Sequence, residues 1–236
     1  MKDAKGNALF LILIAVALFA ALSYAVTNSG RGGSGADKEK SRLAASEILQ
    51  WFGIIDATMN RMKITGRFAD ENISFNYDTK YYNGTDLNDY MDNPNCVSDD
   101  CKVFNPLGGG LSAPDFSNYA TTDPTSITAW SLEPGNIALR VIQWPGAGTS
   151  ANDIAIRVAF MKPDICVAIN NIMDISAIPV FDGTFNQSPD PANWDNPGNT
   201  ISANDAEITN KFTFASDKTG SGSGEFCDIY HLVFAR

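Results

Sequence analysis

The sequence predicts an α+β protein: an N-terminal transmembrane or assembly helix, a Gly-rich joint, and an amphipathic helix packed on a mainly antiparallel β-sheet domain with disulfides. Three observations carry this. Ala8–Val26 runs for 19 residues without a charge, a Gly or a Pro; Asp37–Met62 carries an apolar stripe at helical spacing; and the second half alternates apolar with smaller or polar residues in strand-length pieces closed by turn residues. The 236-residue chain then divides into a leader at 1–6, a hydrophobic helix at 7–27, a joint at 28–36 and an α+β domain at 37–236.

At about 1.5 Å per residue, Ala8–Val26 makes a helix about 28 Å long, which matches a hydrocarbon core of roughly 30 Å. The leader MKDAKGN places Lys2, Lys5 and the terminal amine against Asp3. Positive charge is retained in the cytoplasm, so the domain is expected outside, with the chain crossing the membrane once. A cleavable secretory signal fits less well, because the apolar run exceeds a usual signal core, although Ala20, Ala21, Ser23 and Ala25 offer small residues near its end.

Thr27–Ala36, TNSGRGGSGA, holds four glycines and is expected to be a flexible joint or a melted turn. In Asp37–Met62, Ala45, Ile48, Leu49, Phe52, Ile55, Met59 and Met62 recur at steps of three and four. They form one stripe, expected to pack on the domain's own sheet. Ser34 followed by Asp37 offers a capping-box-like start.

From Ile64 to Ser131 the pattern breaks into short β-prone pieces, such as Ile73–Tyr77, and loops rich in Asn, Asp, Gly and Pro. Asp86, Asp89, Asp92, Asp99 and Asp100 invite a calcium reading, but their spacing matches no EF-hand loop and a solvated acidic loop accounts for them better. Ile137–Trp144 and Ile154–Phe160 read as an antiparallel hairpin. In its second strand Ile154, Ile156, Val158 and Phe160 point one way and Arg157 the other. Pro163 and Asp164 open a short helix with a stripe of Ile165, Ile169, Ile172 and Met173. After a Pro-, Asn- and Gly-rich loop from Pro179, two further strands are expected at Glu207–Phe214 and Ile229–Phe234.

The net charge of −10 and the absence of clustered Lys and Arg argue against a nucleic-acid partner. Cys96, Cys101, Cys166 and Cys227 form an even set beyond the apolar segment, the usage of an oxidising compartment. Four cysteines permit three pairings that sequence cannot decide; Cys96 with Cys101 and Cys166 with Cys227 is the favoured one. Chemistry for catalysis is thin: His231 is the single histidine, placed in a strand where a structural role is commoner than that of a base. No nucleophile elbow, phosphate loop or dinucleotide fingerprint occurs. The expectation is a protein that is no enzyme and needs no cofactor or metal. Trp51, Trp130, Trp144 and Trp194 are scattered as packing residues.

This arrangement resembles the type IV pilins and type II secretion pseudopilins. In those families a short basic leader ends in Gly, a prepilin peptidase cuts after it, and an apolar helix leads into an amphipathic helix and an antiparallel sheet, often with a disulfide near the C-terminus. The resemblance implies that Lys5 and Gly6 form the processing signal and that Asn7 is the first mature residue, a position open to methylation. It further implies that Ala8–Val26 is the assembly helix and Cys227 the near-terminal cysteine. Two positions depart from the family pattern: Leu11 stands where a Glu usually pairs with a neighbouring subunit's amino terminus, and Asn7 stands where Phe or Met is usual. A minor or divergent subunit fits that loss. The implied function is a structural subunit of a pilus or pseudopilus-like filament, anchored in the inner membrane before assembly. Its partners are then the membrane, copies of itself or related pilin-like subunits through the N-terminal helix, and a prepilin peptidase. The alternative is a single-pass anchored binding or adhesion domain on a flexible stalk, for which the Gly-rich joint supplies the slack.

Overall fold

The computed structural model describes residue 16 and residues 33–66, 68–77, 93, 95–121, 133–142, 144, 146–147, 153–176, 208–209, 211–216 and 226–235. The chain falls into two units, Met1–Lys40 and Ser41–Arg236. In the first, Val16 is helical and exposed, and Asp37 and Lys40 pair at 3.7 Å across one exposed turn. The leader, Gly6, Asn7 and the rest of the expected hydrophobic helix lie outside the described residues. Among those described, no helix is long and apolar enough to cross a membrane.

Helix α1 spans Gly33–Arg61 and continues into a wide π-type turn, Met62–Gly66. It therefore starts four residues before Asp37, so Ser34 and Asp37 lie within its first turns rather than at its cap, and the last part of the expected joint is helical. Extending a formed helix adds one backbone bond per residue fixed, which offsets the cost of about 1 kcal/mol that each Gly brings. The stripe is buried as its spacing requires: Ala45, Ile48, Phe52, Ile55, Met59 and Met62 are all in the core, with Leu49 packed at its margin. Polar ties flank it. The Ser41 hydroxyl donates to Asp164, and the Tyr119 hydroxyl donates to Glu47, a bond that favours the protonated phenol and raises its pKa above the usual value.

The sheet holds four antiparallel strands in the order β1-β2-β4-β3, formed by Ile137–Ile142, Asp153–Met161, Thr213–Ser216 (β3) and Cys227–Phe234 (β4). The expected hairpin is β1 with β2, in a register that sets Ile137 opposite Val158 and Ile142 opposite Asp153. On one face Ile154, Ile156, Val158 and Ile229 join the residues of α1 in a single core; on the other Ala155, Phe214, Tyr230 and Leu232 pack with Trp144, Ile175 and Ile208. A strand covered on both faces loses the clean alternation of a half-solvated one, and all nine residues of β2 are buried.

Strand limits differ from expectation where turns intervene. β1 stops at Ile142, short of Trp144, whose indole Nε1 instead donates to the Lys211 carbonyl at 2.7 Å. β3 begins at Thr213 rather than Glu207, because the Lys211 N–H returns to the Ile208 carbonyl at 3.0 Å and closes a turn. In Ile73–Tyr77 only Ser74 forms a bridge, with Lys102. Tyr77 nonetheless serves the sheet: its hydroxyl accepts from the Ile137 N–H and donates to the Ile137 carbonyl, both at 2.9 Å, so one side chain satisfies a residue of edge strand β1.

Helix α2, Pro163–Ile172, opens with Pro in its first turn as expected. Ile165 and Ile169 are buried, whereas Ile172 is 49% exposed. The helix ends there and Asp174, at φ 57°, turns the chain away. Asn170 does for edge strand β3 what Tyr77 does for β1. Its amide donates to the Ala215 carbonyl at 2.9 Å and accepts from the Ala215 N–H at 2.7 Å, in buried surroundings. Asn170→Ala strands both backbone groups, and a loss of about 2–4 kcal/mol is expected in urea unfolding followed by tryptophan fluorescence. A loss below about 0.5 kcal/mol would show that water replaces the amide without cost.

Candidate functional site

All four cysteines are bonded: Cys96 with Cys101, Cα atoms 5.6 Å apart, and Cys166 with Cys227, 6.5 Å apart across 61 positions. The first closes a short loop whose tip is exposed and acidic; the second fastens α2 to the start of β4. Gly6 and Asn7 lie outside the described residues, as do Asp86, Asp89, Asp92, Trp130 and Trp194. The two remaining acidic candidates are engaged separately. Asp99 Oδ1 accepts from Lys102 at 2.8 Å, and Asp100 accepts from the Ser98 hydroxyl.

Two buried polar clusters stand on the sheet. On the face away from α1, Asp228 is fully buried: its Oδ2 accepts from Arg157 Nε at 2.9 Å and from the Tyr230 hydroxyl at 3.4 Å, and its Oδ1 accepts from the Phe160 N–H at 3.0 Å. Arg157 Nη2 stands 2.8 Å from the same carboxylate oxygen as an ion-pair contact, without a hydrogen bond among the described residues. Burial by itself would lower the guanidinium's pKa; the Asp228 charge, with Tyr230 beside it, outweighs burial and leaves it raised. Phe160 sits in the bulge between Val158 and Met161 at φ 57°, a conformation costly for an aromatic residue, and its N–H is held there by Asp228.

On the opposite face His231 sits across from Thr213. Its Nδ1 lies 2.7 Å from Thr213 Oγ1 and its Nε2 3.0 Å from Asp56 Oδ1. The ring stacks on Phe52 with centroids 4.4 Å apart and planes within 9°. A carboxylate only accepts, so Nε2 carries a proton, and in the neutral ring Nδ1 accepts from the Thr213 hydroxyl. Every polar atom of His231 is thereby spoken for, and its visible work is to join α1, β3 and β4.

Beside this histidine, between the last turns of α1 and the end of β4, is an open groove of about 260 Å³. Asp56, Met59, Asn60 and Lys63 line one side; Phe212, Leu232, Val233 and Ala235 line the other. Asp56, Asn60 and Lys63 fall on one helix face by their spacing of four and three. Asp56 spends Oδ1 on His231 and leaves Oδ2 without a partner among the described residues. Lys63 Nζ is 2.5 Å from Asp70 Oδ1 and 4.8 Å from the centroid of Phe234. Phe212, at the bend before β3, is 62% exposed.

No family model, curated protein or solved structure matches the chain. The residues of this site therefore speak through their geometry alone. Sequence reading places Asp56 off the apolar stripe and Phe212 inside a strand; it has no means of bringing them together across 156 positions. The one available signal is the pair Asp56 and Asn60, four residues apart at the edge of the buried stripe, each directly following a stripe residue, Ile55 and Met59.

Proposed function

We propose that the chain is a non-enzymatic structural subunit of a pilus or pseudopilus-like filament, held in the inner membrane by Ala8–Val26 before assembly, with domain 37–236 outside. The observation that carries this reading is the plan of the chain. An apolar segment long enough to span a bilayer leads, through a glycine-rich stretch, into a helix whose apolar stripe lies on an antiparallel sheet, and a disulfide reaches the last strand. Assembly would proceed through Ala8–Val26 against copies of this chain or related subunits, with Ala15, Ala17, Ala20 and Ala21 allowing close helix approach. Leu11 leaves no charge to be paired within that packing, which supports a minor or divergent subunit.

Mass spectrometry of the mature N-terminus tests this directly. Processing after Gly6, with methylated Asn7 as the first residue, is the expected result. An intact Met1 or a cut near Ala25 would overturn prepilin-type processing. The groove beside His231 favours a second reading, an anchored binding domain, which requires no filament. The two separate on whether isolated surface filaments contain the chain.

A further inference from the structure

We propose that the groove between the end of α1 and the end of β4 binds a single neutral sugar residue. The inference stands apart from filament assembly and rests on what lines the groove. Its volume, about 260 Å³, is enough to seat one ring, and the groove is open on its outer side. One wall offers Phe212, an aromatic ring 62% exposed at the groove and so accessible for stacking. The other wall offers a carboxylate and an amide from successive turns of α1, Asp56 and Asn60, and an ammonium, Lys63, from the π-type turn that follows it.

The mixture of charges selects the ligand. Asp56 and Lys63 are seven residues apart, about 10 Å along the helix, so a ligand ion of either sign meets one group of its own sign within so small a space. Each charge is also answered inside the protein, Asp56 by a hydrogen bond from His231 and Lys63 by Asp70. A hydroxyl avoids the conflict because it both donates and accepts. It can donate to Asp56 Oδ2, and a neighbouring hydroxyl can accept from Asn60 Nδ2. A pyranose presents such hydroxyls around its rim and C–H groups on its face, and the C–H face matches the negative face of an aromatic ring. His231 gives the carboxylate a fixed position, because it is bonded to Thr213 on its far side and stacked on Phe52. The acceptor is held before a ligand arrives, which lowers the ordering cost of binding.

The test is saturation-transfer NMR on the full chain, solubilised in a detergent without a sugar headgroup. The probes are glucose, galactose, mannose and N-acetylglucosamine, each also as its methyl glycoside to represent a chain-terminal residue. Tetramethylammonium and acetate serve as charged controls. At least one sugar is expected to bind in the millimolar range. Phe212→Ala should weaken it about tenfold and Asn60→Ala about fivefold. Leu107→Ala, exposed elsewhere on the domain, should leave binding unchanged. Both groove side chains are at the surface, and an unaltered unfolding curve for either variant is enough to read the result. The proposal is overturned if no sugar receives saturation at millimolar concentration, if both groove variants bind as the parent does, or if either charged control is preferred.

Discussion

Asp228→Ala lowers the stability of the domain by about 3–5 kcal/mol, the loss expected when one half of a buried ion pair is removed. The side chain has no exposure, and its partner Arg157 is only 6% exposed. Without the carboxylate the guanidinium stays buried with nothing to balance it, because β2 is covered on both faces. The same substitution releases the Phe160 N–H, the hydrogen bond that holds a left-handed aromatic residue in the bulge. Urea unfolding followed by tryptophan fluorescence measures the loss, and a value below about 1 kcal/mol would contradict this account. Replacing both partners, as Asp228→Ala with Arg157→Met, should recover most of the deficit, since it removes the stranded charge along with its counter-ion. The pH dependence has a definite sign on the arginine side. A cation whose pKa is raised on folding contributes stability in full below its ordinary value and loses it only as pH rises through the folded one. The Arg157 half of the pair should therefore contribute a constant amount throughout the neutral range.

Removing the Cys166–Cys227 disulfide should cost about 4 kcal/mol, and removing Cys96–Cys101 about 2 kcal/mol, by the loop-closure entropy that each takes from the unfolded chain. The difference comes from separations of 61 and 5 positions. Paired Cys→Ser variants, compared by urea midpoint at constant slope, test the order as well as the size. An equal or reversed order would mean that native-state packing, rather than unfolded-state entropy, governs the effect. The position of Cys166 in a helix and Cys227 in a strand adds a second expectation: losing this bond should loosen α2 from the sheet edge, where Asn170 then remains as a direct hydrogen-bonded tie.

The two helices and the hairpin were legible because their periodicity is local. Ala45 through Met62 recur at the spacing of one helix face and are buried on it, and β1 and β2 alternate as a pair whose connection joins consecutive strands. The ends were less legible. The first turns of α1 defeat the reading of Gly33 and Gly35 as joint, since helix propagation outweighs the propensity of single residues. β3 is shorter than its sequence pattern because a backbone turn at Ile208–Lys211 competes for the same residues.

By itself, then, the sequence determined the class of the fold, the buried stripe of α1, the antiparallel pairing of β1 with β2 and, by usage, that the cysteines form bonds. Each of these depends on residues close in the chain or on composition. Only the tertiary structure decided that Arg157, which a two-residue period places opposite the core isoleucines, is buried on Asp228 rather than solvated, and that His231 is held by Asp56 and Thr213. It alone set Phe212 across a groove from Asp56 and Asn60. The physical reason is the same in each case: the partners lie between 18 and 175 positions apart, and contacts at that separation are set by how helix and sheet pack, a choice that side-chain periodicity does not encode.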